Sequence, residues 1–193
     1  ENWSLIKNLK LSVFDDGYNN PVSMQFVKNS KISKIRSYYV MDKTGKIFLS
    51  YNKEKYLFTD IKESIGNFDF TDFQAIDLCI DQDTASLFAT FTYKELKTDK
   101  SMNGLIKFEN SKNEILKKPN SITLFDYKIL NDSSQKNFLI GPCLIDNNNL
   151  YFAINNTTNT FFMDDSNYES GLVLRANKNT FLPQEDNPFY LKN

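Results

Sequence analysis

Histidine is absent from the 193 residues of this chain. Imidazole is the general base of Ser-His-Asp triads and Cys-His dyads, and it is a ligand in nearly all catalytic zinc sites. These three kinds of catalytic site are therefore excluded within this sequence. It also contains no Gly-x-Gly-x-x-Gly and no Gly-Lys-Ser or Gly-Lys-Thr, so the common backbone cradles for nucleotide phosphates are missing.

Arginine occurs only as Arg36 and Arg175, and lysine supplies the other basic residues. Nucleic acid recognition favours the planar guanidinium group, which bonds phosphates and base edges in pairs. The 23 basic and 24 acidic residues leave a net charge of −1, which gives no long-range field to attract a polyanion. We therefore predict no nucleic acid partner. No stretch approaches the roughly 20 apolar residues that span a bilayer, so we also predict no membrane insertion.

The sequence has two cysteines, Cys79 and Cys143, and each lies within an apolar run. Free cysteines are among the most buried residues and pack like small hydrophobic side chains, so we expect two buried thiols. A disulfide between them stays open, because it depends on an oxidising compartment and on a Cα separation that sequence does not give. Neither cysteine has Cys-x-x-Cys spacing, and we predict no metal and no cofactor.

Hydrophobic residues make up 40% and aromatic residues 15% of the chain, enough for a folded core. Runs of roughly five to nine β-branched and aromatic residues alternate with turns rich in Asn, Asp and Lys. The best candidate for a helix is short, at residues 56–65, with Thr59 or Asp60 as its N-cap. The sequence therefore predicts an all-β fold in which residues 1–193 form a single domain.

A pattern of strand, aspartate turn and strand occurs three times. Apolar runs end at Asp42, Asp81 and Asp146, and each is followed by a short polar turn and a new apolar run. Aspartate suits this place because its carboxylate accepts hydrogen bonds from the backbone of the turn. After the second and third turns, a polar loop leads to a third apolar run introduced by glycine. We interpret residues 77–108 and 141–175 as two copies of an internal repeat.

Residues 40–48, with the sequence VMDKTGKIF, resemble the second and third strands of a β-propeller blade, and residues 77–108 and 141–175 resemble similar meanders. In β-propellers, four-stranded blades pack radially, and ligands or protein partners bind at the faces that carry the loops. The resemblance implies a propeller-like fold, either partial or completed by an oligomer. A β-sandwich is the alternative architecture.

The chain begins Glu-Asn-Trp without an initiator methionine, which favours a protein from which a leader has been removed. We therefore expect an exported or cell-surface module, such as a lipoprotein or an adhesion protein. Because the main catalytic groups are missing, we predict that the protein is not an enzyme. We expect it to bind another protein or to form part of an assembly, and an oligomer of this chain is one possibility. The candidate contact residues are Phe161, Phe162 and Tyr168, because rigid aromatic rings anchor protein partners well.

Carboxylates support a second hypothesis, in which the protein binds or hydrolyses a carbohydrate. Acidic side chains cluster at residues 15–16, 81–83, 164–169 and 185–186. A glycosidase needs two carboxyl groups across one cleft, about 5 Å or about 6.5–9.5 Å apart. Solvated turn residues are the simpler interpretation of these side chains.

Overall fold

The computed structural model describes residues 15–27, 37–66, 69–111, 116–125, 138–156 and 172–182. These ranges contain eleven strands and one short helix. In chain order the elements are β1 (Pro21–Phe26), β2 (Tyr38–Asp42), β3 (Lys46–Tyr51), β4 (Glu54–Asp60), α1 (Ile61–Ser64), β5 (Phe70–Ile80), β6 (Leu87–Glu95), β7 (Lys100–Glu109), β8 (Ser121–Phe125), β9 (Phe138–Asp146), β10 (Asn149–Asn156) and β11 (Leu172–Asn177).

The strands form three antiparallel sheets, each a meander of consecutive strands. Sheet A has the order β1-β2-β3-β4, sheet B has the order β5-β6-β7-β8, and sheet C has the order β9-β10-β11. Short turns between β-branched and aromatic runs favour this pairing of neighbours in the chain. The predicted all-β class is confirmed, and the antiparallel sheets agree with a propeller-like architecture.

Sheet B lies between sheets A and C. Alternating side chains on each strand point to opposite faces, so sheet B contributes to two apolar cores. The core between sheets A and B includes Tyr39, Met41, Leu49, Leu78, Leu87 and Phe91. The core between sheets B and C includes Cys79, Phe88, Leu105, Leu150, Phe152 and Ile154. The first strands β1, β5 and β9 contact one another in series, which is how successive propeller blades meet near their axis.

The predicted helix at residues 56–65 is correct only in its second half. Strand β4 pairs with β3 as far as Asp60, and α1 covers just four residues, Ile61–Ser64. The Asp60 carboxylate accepts a hydrogen bond from the backbone N–H of Lys62 at 2.9 Å, as an N-cap does. In the described ranges no helix is long and apolar enough to cross a membrane.

The three aspartate turns differ in their place in the sheets, and two of them share a hydrogen bond from the turn backbone to the carboxylate. Asp81 directly follows the first strand of sheet B and Asp146 ends the first strand of sheet C, whereas Asp42 ends the second strand of sheet A. The Asp42 carboxylate accepts from the N–H of Thr44 at 2.9 Å, and the Asp81 carboxylate accepts from the N–H of Asp83 at 3.0 Å. The turns after Asp81 and Asp146 are thus equivalent, and the turn after Asp42 is not.

Cys79 and Cys143 form a disulfide, with their Cα atoms 5.8 Å apart. The expectation of two buried thiols is therefore wrong. The bond joins β5 to β9, because Cys79 points from sheet B towards sheet C and Cys143 points back. An apolar sequence around each cysteine is compatible with either state, and only the stacking of the sheets brings the two positions together.

Candidate functional site

The connections between strands fall on two opposite edges of sheets B and C. The turns after Asp81 and Asp146 lie on one edge, which we call the Asp-turn edge. The other, the loop edge, carries the turn between β6 and β7 and the connection from α1 to β5. Strand β10 ends and β11 begins on this loop edge of sheet C. Phe161, Phe162 and Tyr168 lie in the connection between these two strands, outside the described residues.

Aromatic rings of sheet B gather at the loop edge. The rings of Phe70 and Tyr93 are 5.8 Å apart in an edge-to-face arrangement, and those of Phe73 and Phe91 are stacked at 5.4 Å. Phe91 is fully buried, whereas Phe70, Phe73 and Tyr93 are only partly buried. These spacings are typical of favourable aromatic pairs. The edge therefore presents three partly exposed rings on a rigid base.

Charged side chains lie at the same edge, with Lys62 near the rings and Lys94, which follows Tyr93 on β6, on the opposite face of sheet B. Lys94 Nζ is 2.7 Å from Asp99 Oδ1. The hydrogen bond and the charge of Asp99 raise the pKa of Lys94, burial acts in the opposite direction, and the charge of Asp72 raises it further. Lys62 Nζ lies 5.2 Å from the centre of the Phe73 ring, within the range of a cation–π contact. We call Phe70, Phe73 and Tyr93, together with these charged residues, the loop-edge cluster.

The backbone is irregular at Asp72. Its φ of 52° lies in the left-handed region, which residues other than glycine seldom adopt. The pairing of β5 with β6 shifts register between Thr71 and Gln74, so Asp72 lies on a bulge. A bulge redirects side chains out of the regular alternation of a strand, and such features concentrate at binding sites. Here it leaves the Asp72 side chain exposed beside Phe73.

The Asp-turn edge has a structural role. Lys178, in the turn after β11, is buried, and its Nζ lies 2.9 Å from Oδ2 of the equally buried Asp81. Burial acts to raise the pKa of Asp81, but Lys178 and hydrogen bonds from Asp83 and Thr84 outweigh it and lower the pKa. The ionised Asp81 carboxylate therefore accepts its hydrogen bonds from groups of the protein itself, and its ion pair with Lys178 connects sheet B to sheet C. In the part of the chain described, no group of three acidic, cysteine or histidine side chains is placed to hold a metal ion.

A second group with a perturbed carboxylate lies on the outer face of sheet A. The Asp15 carboxylate accepts hydrogen bonds from Tyr18 and Tyr38. Burial acts to raise the pKa of Asp15, yet these hydrogen bonds and the charge of Lys55 lower it. An adjoining groove of about 340 Å³ contains Asp15, and a groove on sheet C contains Asp146. Neither of these grooves, as far as the described residues line them, has the two carboxylates that a glycosidase needs.

Comparison with known proteins gives the fold. No protein-family model and no curated protein matches the chain. Its structure is similar to the crystal structure of the soluble aldose sugar dehydrogenase from Escherichia coli in the apo form, with a TM-score of 0.61 and 13% sequence identity. The match covers 89% of this chain and 47% of the dehydrogenase, so the chain spans about half the length of that protein. At this identity the likeness shows the fold alone, which in the dehydrogenase is a β-propeller.

This likeness contradicts the prediction that the chain is not an enzyme, because the fold is shared with an enzyme. The prediction relied on the absence of histidine and of the common phosphate-binding motifs. Carboxylate and ammonium groups also transfer protons, and the loop-edge cluster contains both. The resemblance to β-propeller blades holds at the level of fold, with the three described sheets forming an open series and not a closed ring.

Proposed function

We propose that this chain is part of a carbohydrate-active protein and that the sugar binds at the loop edge. The observation that carries the proposal is the loop-edge cluster, in which partly exposed aromatic rings share one edge of sheet B with the exposed Asp72 and with the Lys94–Asp99 pair on its other face. A sugar has an apolar C–H face and a rim of hydroxyl groups. Aromatic rings pack on the apolar face, and charged groups make strong hydrogen bonds with the hydroxyls.

Each part of the cluster has a different task in this proposal. Phe70 and Tyr93, which are partly buried and packed edge to face, offer apolar surface for the sugar, and Phe73 is held between buried Phe91 and Gly45. The exposed carboxylate of Asp72 accepts hydrogen bonds from hydroxyl groups. Lys94 is held by Asp99 and donates to the ring oxygen or to a further hydroxyl. The fold shared with a soluble aldose sugar dehydrogenase supports the same class of ligand.

Export from the cytoplasm forms part of the proposal. The Cys79–Cys143 disulfide supports it, because disulfides form and persist mainly in oxidising compartments. The bond also joins sheet C to sheet B near the Asp-turn edge. The predicted contact residues Phe161, Phe162 and Tyr168 lie between β10 and β11 and are proposed to contribute further aromatic contacts to the same ligand.

Calorimetric titration of the chain with a panel of aldoses and short oligosaccharides tests the proposal. Asp72→Asn should weaken sugar binding about 10-fold or more, because a hydrogen bond to a charged group contributes about 1.5–3 kcal/mol. Asp83→Asn is the matched control, since Asp83 is 78% exposed on the Asp-turn edge. The control should bind sugar like the parent chain. Absence of any sugar binding, or equal affinities for both variants, contradicts the proposal.

Measurements of turnover distinguish a hydrolase from an oxidoreductase acting on sugars. Release of reducing ends from oligosaccharides reports hydrolysis, and reduction of a soluble dye in the presence of an aldose reports oxidation. Because Asp99 is paired with Lys94, the loop-edge cluster offers Asp72 and not two carboxylates across a cleft, so we expect no hydrolysis.

A further inference from the structure

Sheet C has an open apolar face on the side away from sheet B. Leu144 on β9 is 62% exposed and Val173 on β11 is 60% exposed. The register places Tyr151 opposite Leu144 and Ala153 opposite Val173, so all four side chains share this face, and Arg175, opposite Tyr151, and Asp146 border it. Together with Pro142, Leu144, Tyr151, Ala153 and Val173 line a groove of about 440 Å³. We call these five residues face C.

The pairing register identifies which residues of sheet B hold the same positions. Both sheets begin with a strand that ends in the equivalent aspartate turn, and their second and third strands pair in the same way. The equivalent pairs are Cys79 and Leu144, Phe88 and Tyr151, Thr90 and Ala153, and Leu105 and Val173. In sheet B none of the four is more than 3% exposed, because sheet C covers them.

Face C is thus equivalent to the face of sheet B that packs against the next sheet in the series. No sheet covers it among the residues that the structure describes. Contiguous apolar surface of this kind marks an interaction site. Its shape and chemistry fit another antiparallel sheet better than a polar ligand, because the equivalent face of sheet B packs on one.

The opposite end of the series, sheet A, has an outward side that carries exposed apolar residues and is partly covered by Tyr18 and Asp15. Met24 on β1 and Leu57 on β4 are 45% and 50% exposed and lie in one row across the sheet with Val40 and Phe48. Tyr18 packs on Phe48 and covers the middle of the row. We call the outward side of sheet A face A. It is the side away from sheet B, and so corresponds to the side of sheet C that packs on sheet B.

We propose that face C of one chain packs on face A of a second copy, and that two copies close one ring. Two copies of the three sheets found in the described residues give six, within the range of four to eight blades usual for propellers. The chain matches 47% of the length of the dehydrogenase, so two copies supply the length of one propeller chain. Closure makes two identical contacts between face A and face C, as a twofold axis requires. The inference does not rest on the proposed carbohydrate site.

The molar mass of the full chain in solution, measured by light scattering after size-exclusion chromatography, tests this assembly. Two copies of 22.5 kDa predict about 45 kDa. Leu144→Asp on face C and Leu57→Asp on face A should each reduce the mass to that of one chain. Leu96→Asp is the control, because Leu96 is 56% exposed in the turn between β6 and β7 and lies on neither face. The control should keep the larger mass.

A mixture of the two face variants distinguishes this ring from other dimers. Leu144→Asp in one chain and Leu57→Asp in the other leave one contact with two unaltered faces, so the mixture should recover a species of two chains. Both variants replace exposed residues, and unchanged circular dichroism shows that they fold. A parent chain of single mass at all concentrations overturns the proposal and leaves face C for other sheets of a longer protein or for a different partner. Loss of the dimer with Leu144→Asp but not with Leu57→Asp also overturns it, since face C then meets face C.

Discussion

Removal of the disulfide should destabilise the chain strongly. The change is the double variant Cys79→Ala with Cys143→Ala, which removes the covalent bond between sheets B and C. Cys79 is buried in the core between these sheets, and alanine leaves most of that packing in place. The main effect is therefore on the unfolded chain, which gains conformational freedom when the cross-link is absent.

The size of the effect follows from the separation of the cysteines. They are 64 residues apart in sequence. Closing a loop of that length reduces the entropy of the unfolded chain by about 14 cal/mol/K, and this corresponds to about 4 kcal/mol at 25 °C. A domain of this kind has a total unfolding free energy of about 5–15 kcal/mol, so the loss is a large fraction.

Urea unfolding measures the effect directly. The double variant should have an unfolding free energy about 4 kcal/mol below that of the oxidised parent chain. The parent chain with reductant should fall to the level of the variant, which serves as the control for the substitution itself. Thiol titration in denaturant should detect thiols only after reduction. Equal stabilities, or reactive thiols in the unreduced denatured chain, would refute the reasoning and restore the interpretation as two buried thiols.

Three further changes test the ion pair and the packing. Lys178→Met leaves Asp81 buried without its partner and should lower the unfolding free energy by about 3–5 kcal/mol. Adding Asp81→Leu should recover much of this loss in urea unfolding. If the effects of the two substitutions simply add, the two residues do not form a direct pair. The pKa of Asp81 lies below its ordinary value of 3.8, so its stabilisation is complete above about pH 4–5 and is lost as the pH falls through the lowered pKa; Asp81→Asn should lack this part of the acid-unfolding curve. Gly104→Ala places a methyl group against the ring of Phe91 and should destabilise the folded chain by about 1–3 kcal/mol. Phe91→Leu should restore part of this stability in a thermal melt. If it does not, the methyl group clashes with a different residue.

The strands could be predicted from local sequence because their signals are local. Runs of β-branched and aromatic residues ended by Asp42, Asp81 and Asp146 determine where strands stop and turns begin. The position of each turn within its sheet depends on pairing between distant segments, so the difference between Asp42 and the other two was not predictable from their common pattern. The disulfide and the Lys178–Asp81 ion pair could not be predicted from the sequence for the same reason, because both join residues that are far apart in the chain.

The candidate site was harder to predict than the fold. Phe70, Phe73 and Tyr93 appear in sequence as ordinary strand residues, and their gathering depends on the bulge at Asp72. A carboxylate at a left-handed position has no sequence signal of its own. The spacing of Lys94 and Asp99 around a turn is the one local hint, and it is typical of many solvated turns. Aromatic contacts were predicted instead at residues 161–168, whose role stays a prediction.

Chemical-shift mapping tests the loop-edge site most directly. In a titration of the isotope-labelled chain with an aldose or oligosaccharide, backbone amide signals of residues 70–73 and 93–102 should move in a saturable manner. Signals of the Asp-turn edge, around Asp81 and Lys178, should stay in place. Saturable shifts confined to the Asp-turn edge, or no shifts with any sugar, would contradict a carbohydrate site at the loop edge.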